Sequence, residues 1–455
     1  MKGNPLTMVP PLDRRRFLAI TGGGIGALAL SACAGPITSG AAPSPTTSTG
    51  TDWSKVTPAP EITFWSNHPG KSQDVETALI NAYHKTQTET KVTLVTAGAS
   101  YEEVAQKFQT AQQGGQLPHV VVFSDVWWFR YFLNDSIISL NDLLSHLKVD
   151  TADYVEGLYK DYEFNTKQWA VPYARSTPLF YYNKAMWAAA GLEDRAPKTW
   201  QEFATWAPKL KAANPSAQVA HMYSAASDYD SWTLQNKIWG EGGALSKDWT
   251  ITCDAEPVVK VLQFTQDSVY KHKWAGVSAK DASADFAAGA AASFVGSTGS
   301  LVGVLKAAKF DVGVGFLPGG SQATDMVCPT GGAGLGIPKA ITPEQQLAAA
   351  KFLAFLGLPE NTAAFAAATG YMPVRKSSDM SAVYAKTPQA KIAVDQLSHT
   401  RSQDYARVFL PGGDREIGIA SSDILTQQAK ITDRLAKLKS TLTDIYTTDV
   451  KPKLR

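Results

Sequence analysis

The chain has 455 residues, with 43 basic against 41 acidic side chains. Its first 32 residues hold four of the basic side chains and one acidic one, so the remainder is close to neutral. This balance gives no support to nucleic-acid binding, which needs a concentrated basic surface, and the remaining length is enough for two domains with sizeable cores.

A basic patch, a short apolar run and a cysteine follow one another near the N-terminus. Residues 14–18 read Arg-Arg-Arg-Phe-Leu, which is typical of a twin-arginine export signal. The apolar run 18–30 is too short to span a bilayer, and Leu-Ser-Ala before Cys33 resembles a lipobox. The sequence therefore predicts a signal peptide over 1–32 and lipidation at Cys33, which would attach the protein to the outer face of the cell membrane without a spanning helix. An export signal with an incidental cysteine is the alternative.

The segment that follows predicts a tether. Residues 33–60 are rich in Ser, Thr, Pro, Gly and Ala and hold few large apolar side chains, so we expect disorder there. Further along, Cys253 and Cys328 could pair in an oxidising compartment, but their separation leaves that open. The cysteines lack the spacing of a zinc site, and the sequence predicts neither a metal nor a cofactor.

Alternating and continuous apolar segments predict an α/β fold. Residues 61–65 and 91–95 alternate as strands around a helix over 74–86, and 118–123 is apolar throughout, as in a strand buried on both faces. Long helices follow residue 183, strands return at 292–296, 312–316 and 334–338, and a final helix is predicted over 422–450. This order indicates two lobes joined by several hinge crossings. The predicted lobes are an N-terminal α/β lobe (61–173 plus 300–357) and a helix-rich C-terminal lobe (174–299 plus 358–455).

Several motifs occur in an order that identifies a family. They are Trp-Ala-Val-Pro-Tyr (169–173), Pro-Lys-Thr-Trp-Gln-Glu-Phe (197–203), Gly-Gly-Ala-Gly-Leu-Gly-Ile-Pro (331–338) and Thr-Gly-Tyr-Met-Pro-Val-Arg (369–375). Over essentially the whole mature chain this pattern resembles the family 1 extracellular solute-binding proteins of ABC importers. The resemblance implies a monomeric, two-lobe periplasmic-binding-protein-like (type II) fold that closes around a small molecule and presents it to the permease subunits.

A narrower likeness concerns the ligand. Segments 101–108, 125–129, 173–180, 297–301 and 404–413 resemble the subgroup that binds glycerol 3-phosphate and glycerophosphodiesters, in its mycobacterial-type form. The resemblance implies a glycerophosphodiester ligand, glycerophosphocholine before others. The predicted ligand-binding residues are Tyr101, Asp125, Ser176, Tyr229, Trp232, Ser297, Gly332, Tyr371 and Arg407.

These residues predict a cleft with two chemically different ends. At the phosphate end, Arg407 offers charge-assisted donors, while Gly332 offers backbone N–H groups and Ser176, Ser297 and Tyr371 offer hydroxyls. An ion pair of Arg407 with Asp404 or Asp414, turn chemistry for the serines and burial in the core for Tyr371 are the alternatives.

The other end suits hydroxyls or a cationic head group. Asp125 repels phosphate and should therefore face away from it. Tyr101, Tyr229 and Trp232 provide aromatic faces of the kind that hold a quaternary ammonium. Trp232 could equally belong to the core.

Three other functions compete with this one. A sugar or polyol ligand would also use tryptophan and carboxylates, but it would not require Arg407. A secreted hydrolase lacks support, because the sequence has no Gly-x-Ser-x-Gly or His-Glu-x-x-His motif and its histidines are scattered. A purely structural surface lipoprotein would not close on a ligand. The sequence predicts a binding protein without catalytic residues.

Overall fold

The structure is a computed structural model that describes residues 51–67, 69–224, 227–279 and 281–454, with the backbone alone at Pro69 and at 227–229. The predicted signal peptide, Cys33 and the first part of the tether lie outside this part of the chain. Within it, helices and strands alternate as the α/β prediction requires.

The strands are β1 (Glu61–Ser66), β2 (Lys91–Thr96), β3 (Val120–Ser124), β4 (Glu163–Phe164), β5 (Lys167–Gln168), β6 (Val171–Ser176), β7 (Pro178–Asn183), β8 (His221–Ser224), β9 (Ser246–Lys247), β10 (Thr250–Ile251), β11 (Ala275–Ser278), β12 (Ser293–Ser297), β13 (Val312–Gly315), β14 (Cys328–Pro329), β15 (Gly331–Gly336) and β16 (Thr400–Arg401). The α-helices are α1 (Pro69–Thr86), α2 (Tyr101–Gly114), α3 (Trp128–Leu133), α4 (Asn141–His146), α5 (Glu156–Lys160), α6 (Lys184–Ala189), α7 (Trp200–Ala213), α8 (Ser227–Gly240), α9 (Glu256–Tyr270), α10 (Ala282–Ala287), α11 (Leu301–Ala307), α12 (Pro343–Leu356), α13 (Pro359–Thr369), α14 (Ser381–Lys386), α15 (Gln389–Asp395), α16 (Tyr405–Val408), α17 (Gly413–Thr426) and α18 (Ile431–Ile445).

The first sheet has the strand order β2-β1-β3-β15-β6. Strand β1 is parallel to β2 and β3, whereas β15 is antiparallel to both β3 and β6. Every residue of β3 is buried: Val120 and Val122 pack in one apolar cluster with α1 and α12, and Val121 and Phe123 pack in another with α2. Helices therefore cover both faces of this strand, as its continuous apolar run predicts.

The second sheet has the order β11-β8-β12-β7-β13. The chain enters it directly from the first sheet, because Thr177 alone separates β6 from β7, and it returns to the first sheet at β15. Two sheets with repeated crossings form the predicted two-lobe fold. Strand β13 pairs with β7 in this second sheet, although the sequence predicts 300–357 as part of the first lobe. The lobe boundaries stay a prediction.

The predicted C-terminal helix over 422–450 is wrong. Two helices, α17 and α18, occupy the region, and they are separated by a turn in which Gln428 has a positive φ of 54°. The turn lets Ile417 and Ile424 of α17 share one apolar cluster with Leu435 and Leu438 of α18. The local sequence contains no strong helix breaker, so helix propensity alone favours one long helix. Burial of the apolar faces of α17 and α18 outweighs that propensity.

The predicted tether ends in folded structure. Trp53–Lys55 form a 3-10 turn, Ala59 is buried, and Trp53 and Val56 pack against the same apolar cluster as α1. Cys253 and Cys328 are both buried free thiols. No helix among the described residues has the length and apolarity needed to cross a membrane.

Candidate functional site

A pocket of about 210 Å³ lies where strands from both sheets end. Asp125 follows β3, Ser176 ends β6, Gly331 begins β15, and Ser297 ends β12. The lining is Ser100, Tyr101, Glu102, Ser124, Asp125, Val126, Trp127, Ser176, Trp232, Ser297, Gly331, Gly332, Tyr371, Arg407 and Asp414. Such a convergence of polar groups in one concavity is typical of a binding site.

The pocket brings together eight of the nine predicted ligand-binding residues. The ninth, Tyr229, lies in α8, and its side chain is outside the described part of the chain. The role of these residues in binding stays a prediction. Their convergence nevertheless joins segments as far apart in sequence as Tyr101 and Arg407.

An arginine cluster, made of Arg407, Asp125 and Gln403, occupies one part of the site. Arg407 Nη1 lies 3.5 Å from Asp125 Oδ2 and donates to Gln403 Oε1 at 2.5 Å. Gln403 Nε2 in turn donates to Asp125 Oδ2 at 2.6 Å. The side chains of Arg407 and Asp125 are 6% and 5% exposed. The guanidinium is therefore already partly neutralised before any ligand enters.

This cluster corrects two expectations. Asp125 does not face the opposite end of the site from Arg407, because the two side chains form an ion pair. The expected alternative partner Asp404 instead accepts hydrogen bonds from the Leu245 N–H at 2.6 Å and the Trp239 Nε1–H at 3.2 Å. Burial raises the pKa of Asp404 to about 6. Spacing along the chain could not reveal that a carboxylate 282 residues away would reach Arg407.

Two glycines begin the strand that borders the pocket, and the first of them allows a tryptophan to lie against it. A Cβ at Gly331 would lie 2.6 Å from the ring of Trp232, and Gly332 has a φ of +100° that side chains rarely adopt. Trp232 Nε1 donates to the Thr330 carbonyl at 2.8 Å, so its ring orientation is fixed. Trp232 is only 6% exposed and thus serves both the core and the pocket wall.

A lysine cluster, made of Lys71 with Ser297 and Tyr371 of the pocket lining, adjoins another part of the site. Gly370 ends α13 with a left-handed φ of 79° and thereby directs the chain so that Tyr371 reaches the pocket. The hydroxyls of Tyr371 and Tyr101 lie 3.1 Å apart. Lys71 Nζ, from the first turn of α1, lies 3.9 Å from the centroid of the Tyr371 ring.

Sequence reasoning missed several residues of the site. Gln403 had no helical signal, because it lies before α16, which begins at Tyr405, and it reaches Arg407 from the preceding loop. Glu102 and Trp127 adjoin predicted residues and line the pocket. Lys71 had no signal, because nothing local distinguishes it from an exposed helical lysine. Among the described residues, no group of three His, Cys, Asp or Glu side chains could hold a metal ion.

A two-lobe fold with a polar pocket where both sheets end is the architecture of a solute-binding protein. The chain belongs to the family of bacterial extracellular solute-binding proteins, whose profile matches residues 78–392.

Two relatives carry the comparison further. The chain is 44% identical to UgpB from Mycobacterium tuberculosis, whose crystal structure contains glycerophosphocholine; the match covers 86% of this chain and 99% of that one, with a TM-score of 0.81. It is also 28% identical over 352 residues to the sn-glycerol-3-phosphate-binding periplasmic protein UgpB of Escherichia coli, covering 74% of this chain and 80% of that protein. The GacH receptor of Streptomyces glaucescens has the same fold at 20% identity, with a TM-score of 0.74 over 86% of this chain and 99% of that chain.

Proposed function

We propose that this protein captures a glycerophosphodiester, glycerophosphocholine before others, or glycerol 3-phosphate, and delivers it to an ABC permease. The observation that carries the proposal is the convergence of Arg407, Ser297, Gly332 and Tyr371 on one pocket with three carboxylates, those of Asp125, Glu102 and Asp414. A ligand with a phosphate and a cationic head group matches such a mixed lining. The 44% identity to a protein crystallised with glycerophosphocholine supports the same ligand class.

A sugar or polyol is the second candidate ligand. Trp232 and Asp125 would serve it, because sugar hydroxyls bind carboxylates and sugar faces pack on aromatic rings. The distinguishing feature is Arg407, whose charge such a neutral ligand does not need.

Calorimetric titration and thermal shift with a matched ligand set test the proposal. We expect glycerophosphocholine, other glycerophosphodiesters or glycerol 3-phosphate to give saturable heat and raise the melting temperature through mass action. Maltose and trehalose serve as neutral controls. Saturable binding of a sugar together with no response to any phosphate ligand would replace the proposal with the second candidate. Recovery of the phosphodiester unchanged after incubation is expected, since the proposal includes no catalysis.

The proposed mechanism is closure of two lobes around the ligand. A ligand that contacts Ser297 of the second sheet and Gly332 of the first favours the form in which both are close. Small-angle scattering should then show a smaller radius of gyration with glycerophosphocholine than without it. In this proposal β13 moves with the second sheet, because it pairs with β7 of that sheet.

The proposal also includes export and attachment of a monomer to the membrane. The twin-arginine motif at 14–18 and the lipobox at Cys33 support it. Replacement of Cys33 by alanine should release the protein from the membrane fraction of expressing cells, whereas persistence in that fraction would contradict acylation as the anchor.

A further inference from the structure

The phosphate chemistry of the proposed ligand requires positive charge that the arginine cluster supplies only in part. Arg407 is shared with Asp125 and Gln403, and the pocket lining adds the carboxylates of Glu102 and Asp414. Carboxylates beside a phosphate oppose its binding by Coulomb repulsion. A second cation near the phosphate would offset that repulsion.

Lys71 lies directly behind two residues of the pocket lining, Tyr371 and Ser297, although its position in the sequence gave no hint of this. A Cβ added to Gly299 would lie 2.5 Å from Lys71 Nζ, 3.1 Å from Tyr371 Cε1 and 3.3 Å from Ser297 Oγ. The ammonium, the phenol ring and the hydroxyl therefore flank one small volume. Tyr371 and Ser297 both line the pocket, so a ligand oxygen bound to them is within electrostatic reach of the ammonium.

The charge of Lys71 is not neutralised by a carboxylate of the described residues, in contrast to that of Arg407. Its contact is the electron-rich face of Tyr371, 3.9 Å away. The side chain is half-buried, and desolvation lowers the pKa of Lys71 to about 8. An anion placed beside it would restore the lost solvation of the charged form.

We propose that Lys71 is a specificity-determining residue that binds the ligand phosphate and favours phosphate monoesters over phosphodiesters. This inference rests on the proposed function. A phosphate monoester carries close to two negative charges at neutral pH, whereas a phosphodiester carries one. Coulomb energy is proportional to ligand charge, so the contribution of Lys71 is about twice as large for glycerol 3-phosphate as for glycerophosphocholine.

Titration of both ligands into wild type and Lys71→Gln tests this inference. If loss of the charge weakens glycerophosphocholine about fivefold, it should weaken glycerol 3-phosphate about 25-fold, because doubling the energy squares the ratio. The affinity ratio of monoester to diester then falls about fivefold. Lys71→Met, which keeps the side-chain length, should repeat the result, and Lys71→Arg should retain most of the wild-type ratio.

Lys107→Gln is the matched control. Lys107 also lies over an aromatic ring, 4.8 Å from that of Trp65, but it is exposed, and Trp65, unlike Tyr371, is not part of the pocket lining. Its replacement should leave both affinities unchanged. A change of less than about twofold in the ratio for both Lys71→Gln and Lys71→Met, with both ligands binding wild type, would overturn the assignment of Lys71. If wild type binds neither ligand, the proposed function is overturned, and the role of Lys71 with it.

Discussion

The arginine cluster and the lysine cluster solve the problem of a buried charge in opposite ways. Arg407 is held by an anionic partner and an amide, so its charge is compensated in the ligand-free protein. Lys71 is held against an aromatic face, and its burial favours the neutral amine. The ion pair of Arg407 fixes the geometry of the pocket before the ligand binds. The ammonium of Lys71 has no such partner among the described residues, so an anionic ligand would stabilise its charged form.

A second titratable side chain of α1 is also shifted towards its neutral form by burial. Glu76, one turn beyond Lys71, is buried and accepts hydrogen bonds from Ser66 Oγ at 2.5 Å and Tyr173 Oη at 3.2 Å. Desolvation raises the pKa of Glu76 to about 7 despite these bonds. Tyr173 packs on Phe365, which stacks parallel to Tyr371. Glu76, whose carboxyl group burial favours in the neutral form, is thus linked through Tyr173 and Phe365 to the Tyr371 ring on which Lys71 lies.

The largest expected effect is that of Arg407→Ala. Removing the guanidinium leaves Asp125 buried with Gln403 and Ser124 as its partners, so the free energy of unfolding should fall by about 3–5 kcal/mol. Affinity for a phosphodiester should fall by about 1.5–3 kcal/mol, the range for hydrogen bonds to charged groups. Denaturant titration and calorimetry measure the two effects.

Arg434→Ala is its control, since Arg434 pairs with Asp423 at 2.8 Å outside the pocket lining. It should alter stability and spare binding. An affinity change below about threefold for Arg407→Ala would argue against the arginine as a phosphate ligand and would favour a sugar or polyol.

A smaller effect is expected from Glu76→Gln, and it depends on pH. The folded state binds a proton at Glu76 up to about pH 7, whereas the unfolded state releases it near 4.5. The stabilisation from this group is therefore fully present below pH 4.5 and is lost as pH rises through 7. Relative to Glu76→Gln, wild type should lose on the order of 3 kcal/mol across this window.

Denaturant unfolding at several pH values measures this difference. Glu61→Gln, at an exposed position of β1, is the control and should run parallel to wild type. A difference between wild type and Glu76→Gln that stayed constant from pH 4.5 to 7.5 would contradict a protonated Glu76.

The smallest expected effect follows from Gly331→Ala. The added Cβ would lie 2.6 Å from the Trp232 ring, so the ring or strand β15 must shift, at a cost of about 1–3 kcal/mol. Affinity should fall as well, because Trp232 is part of the pocket wall. Gly303→Ala, in α11 with open space around the glycine, should instead be neutral or slightly stabilising. Equal unfolding free energies for the two variants would contradict a tight contact between Gly331 and Trp232.

Much of the site could be predicted from residues and motifs. The glycines at 331 and 332, the serines at strand ends and Arg407 lie in segments whose chemistry is local, and the pocket collects them. The pairing of Arg407 with Asp125 could not be predicted, because it depends on how a loop after β3 meets a short helix near the C-terminus. Lys71 was overlooked for the same reason, since Tyr371, whose ring it contacts, is 300 residues away.

The sequence by itself determined the α/β class and the buried character of β3, because apolar periodicity is a property of neighbouring residues. Its resemblance to a known family, carried by local motifs, named eight of the residues that line the pocket. Tertiary structure alone decided that the predicted helix over 422–450 breaks at Gln428, that β13 joins the second sheet, and that one of two cations at the pocket has a carboxylate partner while the other has a ring. Those outcomes depend on contacts between distant segments, whose energies appear only once the chain is packed.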